Sequence, residues 1–266
     1  MKRTLSILLL LALCLTLCAC GGSAREVKTV TTLVEQDYSL AFRTGDPTAY
    51  YVSAAIEVLN AEGKVEELTI KWFGARIVNF GKNADALSKL DPPQPRDLII
   101  GVDTDSFPMA YITGGRYWGY DVELAQAVCE RLGWNLQIQP ISKENVYIEL
   151  SSGNIDCAWG GIALDQKLVD EGQVAQYGPY VHNDIVIAAR GNAFIENKLM
   201  LANKTLAMCS TVEAMDALSA DKGIYDRLGQ ISRLAGGTTE CFQYLYQSKC
   251  DVIVTDTTAI YYFNCH

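Results

Sequence analysis

The chain has 266 residues, of which 49% are hydrophobic and 20% are charged, a globular composition with room for two lobes. Its formal net charge of −9 argues against nucleic acid as a partner and against a polybasic membrane patch. The chain contains two histidines, and no cysteine spacing is typical of a zinc site, so the sequence indicates neither a metal nor a cofactor.

The first twenty residues have the features of an export signal. Two basic residues precede an apolar run, Leu5 to Leu17, which has the length of a signal-peptide core and is short for a membrane span. The run ends in the letters LCAC at positions 17–20, followed by GGS at 21–23, a pattern that resembles a bacterial lipobox. The resemblance implies cleavage before Cys20 and diacylation of its thiol, which would anchor the protein at the extracytoplasmic face of the cell membrane. An ordinary cleaved signal peptide and an uncleaved anchor are the alternatives.

From residue 97 onward, short apolar runs alternate with amphipathic segments, which is typical of an α/β fold with parallel sheets. The spacing predicts strands at 97–102, 136–141, 155–159, 185–189, 205–208 and 251–255. It predicts helices at 120–132, 145–152, 213–218 and 240–247, and Gly133 is expected to end the first of these. The segments 91–95 and 191–202 are expected to be connectors.

Six cysteines lie beyond the export signal, an even number that permits disulfides but leaves fifteen pairings open. Cys129 and Cys157 are interpreted as buried thiols. The remaining four share the C-terminal segment, where a bridge is compatible with the spacing and no pair is specified: Cys209, Cys241, Cys250 and Cys265.

Five motifs follow one another in a recognisable order. They are GVDTDSFP at 101–108, GYDVELA at 119–125, LSSGNIDCAWGG at 150–161, GPY at 178–180 and CDVIVTD at 250–256. Together they resemble the bacterial extracellular solute-binding proteins of the polar amino-acid type, the substrate-binding lipoproteins of ABC transporters. The resemblance implies a periplasmic-binding-protein-like type II fold, with two α/β lobes and a ligand cleft between them. It also implies a monomer that captures an amino acid or related small polar ligand for a permease, without enzymatic activity.

The order of parts departs from that family. The segment YSLAFRTGDP at 38–47, a helix over 49–60 and IKWFG at 70–74 resemble the family's C-terminal part, so the chain resembles a circular permutation. The predicted organisation is a signal peptide with lipobox over 1–20, a tether over 21–36, a first lobe over 37–186 and a second lobe over 187–266. Within the first lobe, 37–74 corresponds to the family's C-terminal segment and 75–96 is a linker. A broken tandem gene is the alternative.

The resemblance also assigns ligand-binding residues at the carboxyl ends of strands, where such folds bind their ligands. Asp256 would pair with the ligand's ammonium group, and Ser210 and Thr211 would bind its carboxylate; all three could instead cap helices. Phe107 and Trp159 would enclose the ligand, with core packing as the alternative. Asp103 or Asp105 would contact the ligand's side chain or shape the turn.

Three further positions mark a departure from the family. After the glycine at the strand exit, here Gly161, the family places a hydroxyl residue and then an arginine that clamps the α-carboxylate. This chain has Ala163 and, as the nearest cation, Lys167, which binds as a point charge rather than a planar fork. Lys143 stands where the family often has an aromatic residue. These changes are compatible with a different anion or a peptide-like ligand.

Two other functions remain open from the sequence. Cyclohexadienyl dehydratases share the fold and use acid and base carboxylates in the same cleft. The sequence shows no nucleophile–base pair for such chemistry. A sensory or structural lipoprotein without a transport role is the other alternative.

Overall fold

The computed structural model describes residues 25–266. The predicted export signal, the predicted lipidation site Cys20 and the first residues of the predicted tether therefore lie outside the described residues. Across 25–266, none of the helices combines the length and the apolar character needed to span a bilayer.

The described chain alternates strands and helices. In chain order the strands are β1 (Val27–Val34), β2 (Asp37–Arg43), β3 (Asp97–Val102), β4 (Tyr111–Thr113), β5 (Arg116–Trp118), β6 (Asn135–Pro140), β7 (Cys157–Ala158), β8 (Val174–His182), β9 (Ile185–Arg190), β10 (Thr205–Cys209), β11 (Gln230–Leu234) and β12 (Val252–Asp256). The helices are α1 (Thr48–Ala61), α2 (Lys64–Phe73), α3 (Tyr120–Leu132), α4 (Val146–Ser151), α5 (Gln166–Asp170), α6 (Val212–Ala220), α7 (Lys222–Tyr225), α8 (Gly237–Tyr246) and α9 (Thr257–Cys265).

Two five-stranded sheets organise these elements. The first sheet has the order β6-β3-β7-β2-β8, with β3 parallel to β6 and β7, and with β2 antiparallel to β7 and β8. The second sheet has the order β1-β9-β12-β10-β11, with β10 parallel to β11 and β12. The predicted α/β class with two sheets is confirmed.

Apolar periodicity explains the best-predicted elements. Leu98, Ile100 and Val102 of β3 are fully buried, as expected for the face of an interior strand that packs against the core. Helix α3 presents its apolar positions to the same core and ends at Gly133, whose φ of 68° is left-handed and whose N–H group donates to the carbonyl oxygen of Cys129. A left-handed residue at the end of a helix favours glycine, so the predicted helix end is confirmed.

The N-terminal segment differs from the prediction. Residues 27–34, assigned to a tether from the sequence, form β1 and pair antiparallel with β9 in the second sheet. The physical reason is a run of β-branched residues, VKTVTTLV, in which Val27 and Val30 are buried. The chain therefore enters the second sheet, crosses to the first at β2, and returns to the second at β9, which begins at Ile185 as predicted.

The C-terminal helix α9 connects the two halves. The side chain of Asn264 bonds both backbone groups of Val27, accepting at 2.8 Å and donating at 2.9 Å. On its other side, the Tyr262 ring lies 5.8 Å from the Trp72 ring of α2, measured between centroids. Helix α9 thus fixes the start of β1 while packing against the first half of the molecule.

Candidate functional site

A cavity of about 50 Å³ lies between the carboxyl ends of strands from both sheets. The first half contributes Tyr38, the loop after β3 and Lys143, and the second half contributes the ends of β10 and β12 with the start of α6. An occupant of this space would contact both halves of the protein. The structure therefore brings part of the predicted ligand site together between two α/β halves.

The lining of this cavity is acidic. Asp103, Asp105, Glu213 and Asp256 face it, and Lys143 is the one basic residue among the lining residues within 25–266. Four carboxylates around one ammonium group leave an excess of negative charge. A narrow cleft with low-dielectric walls concentrates the field of that charge and favours a cationic ligand.

Lys143 bridges the two halves of the cleft. Its Nζ donates to Oε2 of Glu213 on α6, and it lies 3.4 Å from Oδ2 of Asp103 in the loop after β3. Burial by itself would lower the pKa of Lys143, but Glu213, followed by Asp103 and Asp256, raises it above its ordinary value. The ammonium group therefore stays protonated and occupies the position where a ligand's cationic group would meet these carboxylates.

Asp256 ends β12 and lies at the base of the cavity. Its Oδ1 accepts a 2.8 Å hydrogen bond from Nδ2 of Asn183. Desolvation raises the pKa of Asp256 to about 6, against the lowering effect of the Asn183 bond, with nearby Glu213 raising it further. Its side chain does not cap α9, so the capping alternative is wrong. A cationic partner would stabilise the charged form of a carboxylate in this environment.

Asn183 positions the wall around Asp256, although the sequence analysis did not identify it. Its side chain is buried, donates to the hydroxyl oxygen of Tyr38 at 2.8 Å, and accepts from the N–H and hydroxyl of Thr258 at 3.1 and 2.8 Å. It thereby joins β2, the β8–β9 turn and the start of α9. The available sequence signal was a polar residue between two strands of mostly apolar character.

The start of α6 forms the wall opposite Lys143. The Oγ1 of Thr211 accepts from the N–H of Ala214 at 3.3 Å, which is the capping role weighed from the sequence, and Thr211 also lines the cavity. Ser210 faces the groove adjoining the cavity, together with Ser142. The Oγ1 of Thr255, buried in the cavity wall, has no hydrogen-bond partner in the described part of the chain. A buried hydroxyl group of this kind can bond a polar ligand.

Trp159 lies in the core rather than in the cleft, which corrects the expectation that it encloses the ligand. Its ring is fully buried, and its Nε1 donates at 3.1 Å to Oδ1 of Asp121. Oδ2 of Asp121 accepts from the N–H of Gly161 at 2.9 Å and from the hydroxyl of Tyr180 at 2.6 Å. Desolvation raises the pKa of this buried carboxyl to about 7, although all three bonds lower it. The Trp159 ring lies in the core because its indole N–H is bonded to Asp121, which belongs to α3.

Gly161 supports the cavity from behind instead of lining it. Its φ of 65° is left-handed, and a Cβ atom there would stand 2.4 Å from Cβ of Ser106. Ser106 lines the cavity and donates to the carbonyl oxygen of Gly161 at 3.2 Å. Glycine is needed here because two loops approach each other closely.

Phe107, Ala163 and Lys167 also fall outside the cavity lining. The Phe107 ring packs against aromatic rings of the β4 strand and α9, because this cluster offers a larger apolar contact than the polar cleft. Ala163 forms an isolated bridge with Tyr38. The Lys167 side chain is 73% exposed and pairs with Glu171 one helical turn away, so the nearest cation in sequence is not the cation of the cleft.

Neither histidine lines the cavity. His182 is exposed and lies 2.8 Å from Asp37, and His266 lies beside Cys265 at the end of α9. Within 25–266, no cluster of histidine, cysteine or acidic side chains has the arrangement of a metal site. The charged lining of the cavity can bind a polar ligand electrostatically.

Residues 98–228 match the family model of bacterial extracellular solute-binding proteins, family 3. The Arginine-binding extracellular protein ArtP of Bacillus subtilis (strain 168) is 26% identical over 116 residues, which cover 42% of this chain and 44% of the relative. The Probable amino-acid-binding protein YxeM of the same organism is 26% identical over 110 residues, 41% of each. The matched part thus spans less than half of the length of these relatives.

Among solved structures, one similar chain is a polar amino acid ABC uptake transporter substrate binding protein from Streptococcus thermophilus. It is 26% identical, the match covers 60% of this chain and 61% of that chain, and the TM-score is 0.46.

Proposed function

We propose that the protein captures a cationic amino acid for an ABC importer, on the basis that residues 98–228 match the family model of the bacterial extracellular solute-binding proteins, family 3. The ligand lies between the two halves, with its α-ammonium group on Asp256 and its side-chain cation near Asp103 and Glu213. Thr211 and the N-terminal end of α6 receive its carboxylate.

The acidic lining of the cavity is the observation that carries this proposal. A neutral or acidic amino acid would leave Asp103, Asp105 and Glu213 without a cationic partner beyond Lys143. A ligand with two positive groups and one negative group would offset this charge. The relative ArtP is named as an arginine-binding protein, and arginine is an amino acid of this charge class.

The proposed location follows from the N-terminal pattern. A diacylated Cys20 would hold the binding domain at the outer face of the membrane, next to the permease, without a membrane-spanning helix in the domain. Monomeric binding fits the proposal, because both walls of the cavity come from one chain.

We expect L-arginine and L-lysine to raise the melting temperature of the purified protein, whereas L-glutamate leaves it unchanged. At about a hundredfold excess over Kd, binding stabilises the folded state by about 2.7 kcal/mol, or about 5 °C or more for a chain of this size. A thermal-shift titration measures this. A shift with glutamate and none with arginine or lysine would contradict the proposal. Turnover of prephenate or arogenate would support the dehydratase alternative instead.

Lys143→Met is expected to raise the affinity for arginine about tenfold, because the ammonium group of Lys143 competes with the ligand's cation for Glu213 and Asp103. Lys167→Met is the matched control, since it removes the same charge from an exposed helix outside the cavity lining and should leave the affinity unchanged. Isothermal titration calorimetry of both variants measures the difference.

Two results would contradict this role. A loss of arginine affinity in Lys143→Met would place Lys143 on the ligand's carboxylate. A loss in Lys167→Met would restore Lys167 as the carboxylate partner that the sequence indicated.

A further inference from the structure

Two thiols lie next to each other in the wall of the cleft. Cys209 is the last residue of β10, Cys241 lies in α8, and their Sγ atoms are 3.7 Å apart. The two residues are 32 positions apart in the chain, so their proximity results from the packing of α8 against β10. The sequence was compatible with a bridge in this segment but specified no pair.

The two thiols differ in access. Cys209 is partly exposed and lines the cavity, where a small oxidant can reach it. Cys241 is fully buried in an apolar cluster with Phe242 and Leu245. A reagent in the cleft therefore contacts Cys209 first, and the Cys241 thiol is close enough to react with Cys209 afterwards.

We propose that Cys209 and Cys241 form a redox modification site, in which a hydroperoxide entering the cleft converts the two thiols to a disulfide. The proposal does not rest on the identity of the ligand, since neither sulfur takes part in the charge pairing at Asp256 and Glu213, although an occupant of the cavity would cover Cys209.

The local hydrogen bonds favour this order of events. The bond from the Cys241 thiol lowers the pKa of Cys209, against burial, and the same contact, together with burial, raises the pKa of Cys241. Of the two thiols, Cys209 is therefore the one that ionises more readily, and the thiolate is the nucleophile in cysteine oxidation.

The reaction is balanced with one hydroperoxide. The Cys209 thiolate attacks one peroxide oxygen, the O–O bond breaks, and Cys209 becomes a sulfenic acid while hydroxide leaves and takes up a proton. The Cys241 sulfur then attacks the Cys209 sulfur, the S–O bond breaks, and water leaves with the proton of Cys241. In total, two thiols and hydrogen peroxide give one disulfide and two water molecules.

The disulfide would join the end of β10 to α8. Ser210 and Thr211 follow Cys209 directly, so the bridge would fix the loop that starts α6. A cross-link that closes a loop of this length restricts the unfolded chain, and we expect the melting temperature of the oxidised protein to rise by several degrees.

The test treats the purified full-length chain with hydrogen peroxide, blocks remaining thiols, and maps unreduced peptides by mass spectrometry. The expected result is a peptide pair joined through Cys209 and Cys241, which dithiothreitol separates and which accompanies the rise in melting temperature. Cys209→Ser should lose this pair, whereas Cys265→Ser, which removes an exposed thiol at the end of α9, should retain it.

Three results would overturn the proposal. The first is Cys209 recovered as a sulfinic acid with Cys241 still reduced. The second is Cys209 joined to a different cysteine of the chain. The third is an unreacted pair under conditions that oxidise Cys265. Each of these three results is measured on the wild-type chain. The conclusion therefore does not depend on whether a variant at the buried Cys241 folds.

Discussion

Asp256→Asn is expected to reduce the affinity for arginine at least about 30-fold, since removing one partner of a buried charge pair typically costs 2–5 kcal/mol. The carboxylate lies at the base of the cavity and is held by one neutral donor, Asn183, so its charge is available to a ligand's ammonium group. Asparagine keeps the shape and the acceptor oxygen for Asn183 but removes the charge. Isothermal titration calorimetry above the pKa of Asp256 measures the loss.

The same substitution is expected to stabilise the protein without ligand. Because the pKa of Asp256 is raised to about 6 in the folded state, its stabilising contribution is present in acid and is lost as the pH rises through about 6. Above that pH the folded protein carries a poorly solvated charge. Since Asp256 is partly open to the cleft, we expect Asp256→Asn to gain about 1–2 kcal/mol near neutral pH and less below pH 5.

Asp91→Asn provides the control, because it removes one carboxylate from an exposed connector far from the cavity in the chain. It should change neither the affinity nor the melting temperature. If Asp256→Asn bound arginine as tightly as the wild type, the assignment of the ammonium partner would be wrong. If Asp256→Asn lowered the melting temperature of the protein without ligand, burial of the Asp256 charge would not be destabilising. That conclusion would hold even if the variant had lost arginine binding.

Sequence patterns predicted the elements whose signal is local. The apolar run of β3 and the 3.6-residue periodicity of α3 each determine an element without reference to distant residues. Strand β1 was missed because its side chains alternate only partly, and its pairing with β9 joins residues far apart in the chain. The β4–β5 hairpin, which lies between the predicted strand 97–102 and the predicted helix 120–132, was missed because each of its strands has three residues.

The sequence predicted those site residues whose place in the cavity follows from their position at the end of a strand. Asp103 and Asp256 follow buried strands, and strand ends of this kind meet at the cleft, as the cavity lining shows. Trp159 also follows a strand, but only its bond to Asp121, 38 positions earlier, determines that the ring turns into the core. Lys143 and Asn183 act through contacts 70 and 73 positions away in the chain, which no local pattern reveals. The circular order of the two lobes stays a prediction.

Asp121→Ala is expected to destabilise the protein by about 3 kcal/mol or more, because it leaves three buried donors without their acceptor. The indole of Trp159, the backbone N–H of Gly161 and the hydroxyl of Tyr180 all donate to this carboxyl group. For a chain of this size the melting temperature should fall by about 10 °C. Asp121→Asn retains an acceptor oxygen and should lose less.

The pH dependence separates this role from simple loss of packing. The pKa of Asp121 is raised to about 7 by burial, so its stabilising contribution increases as the pH falls through 7 and is lost as the pH rises. The variant lacks this contribution, so the difference in unfolding free energy between wild type and Asp121→Ala should widen by about 1.4 kcal/mol from pH 8 to pH 6. Urea unfolding at the two pH values measures it. A constant difference would mean that the carboxyl does not take up a proton in this range, and a difference that narrows on acidification would show that its folded pKa is lowered rather than raised.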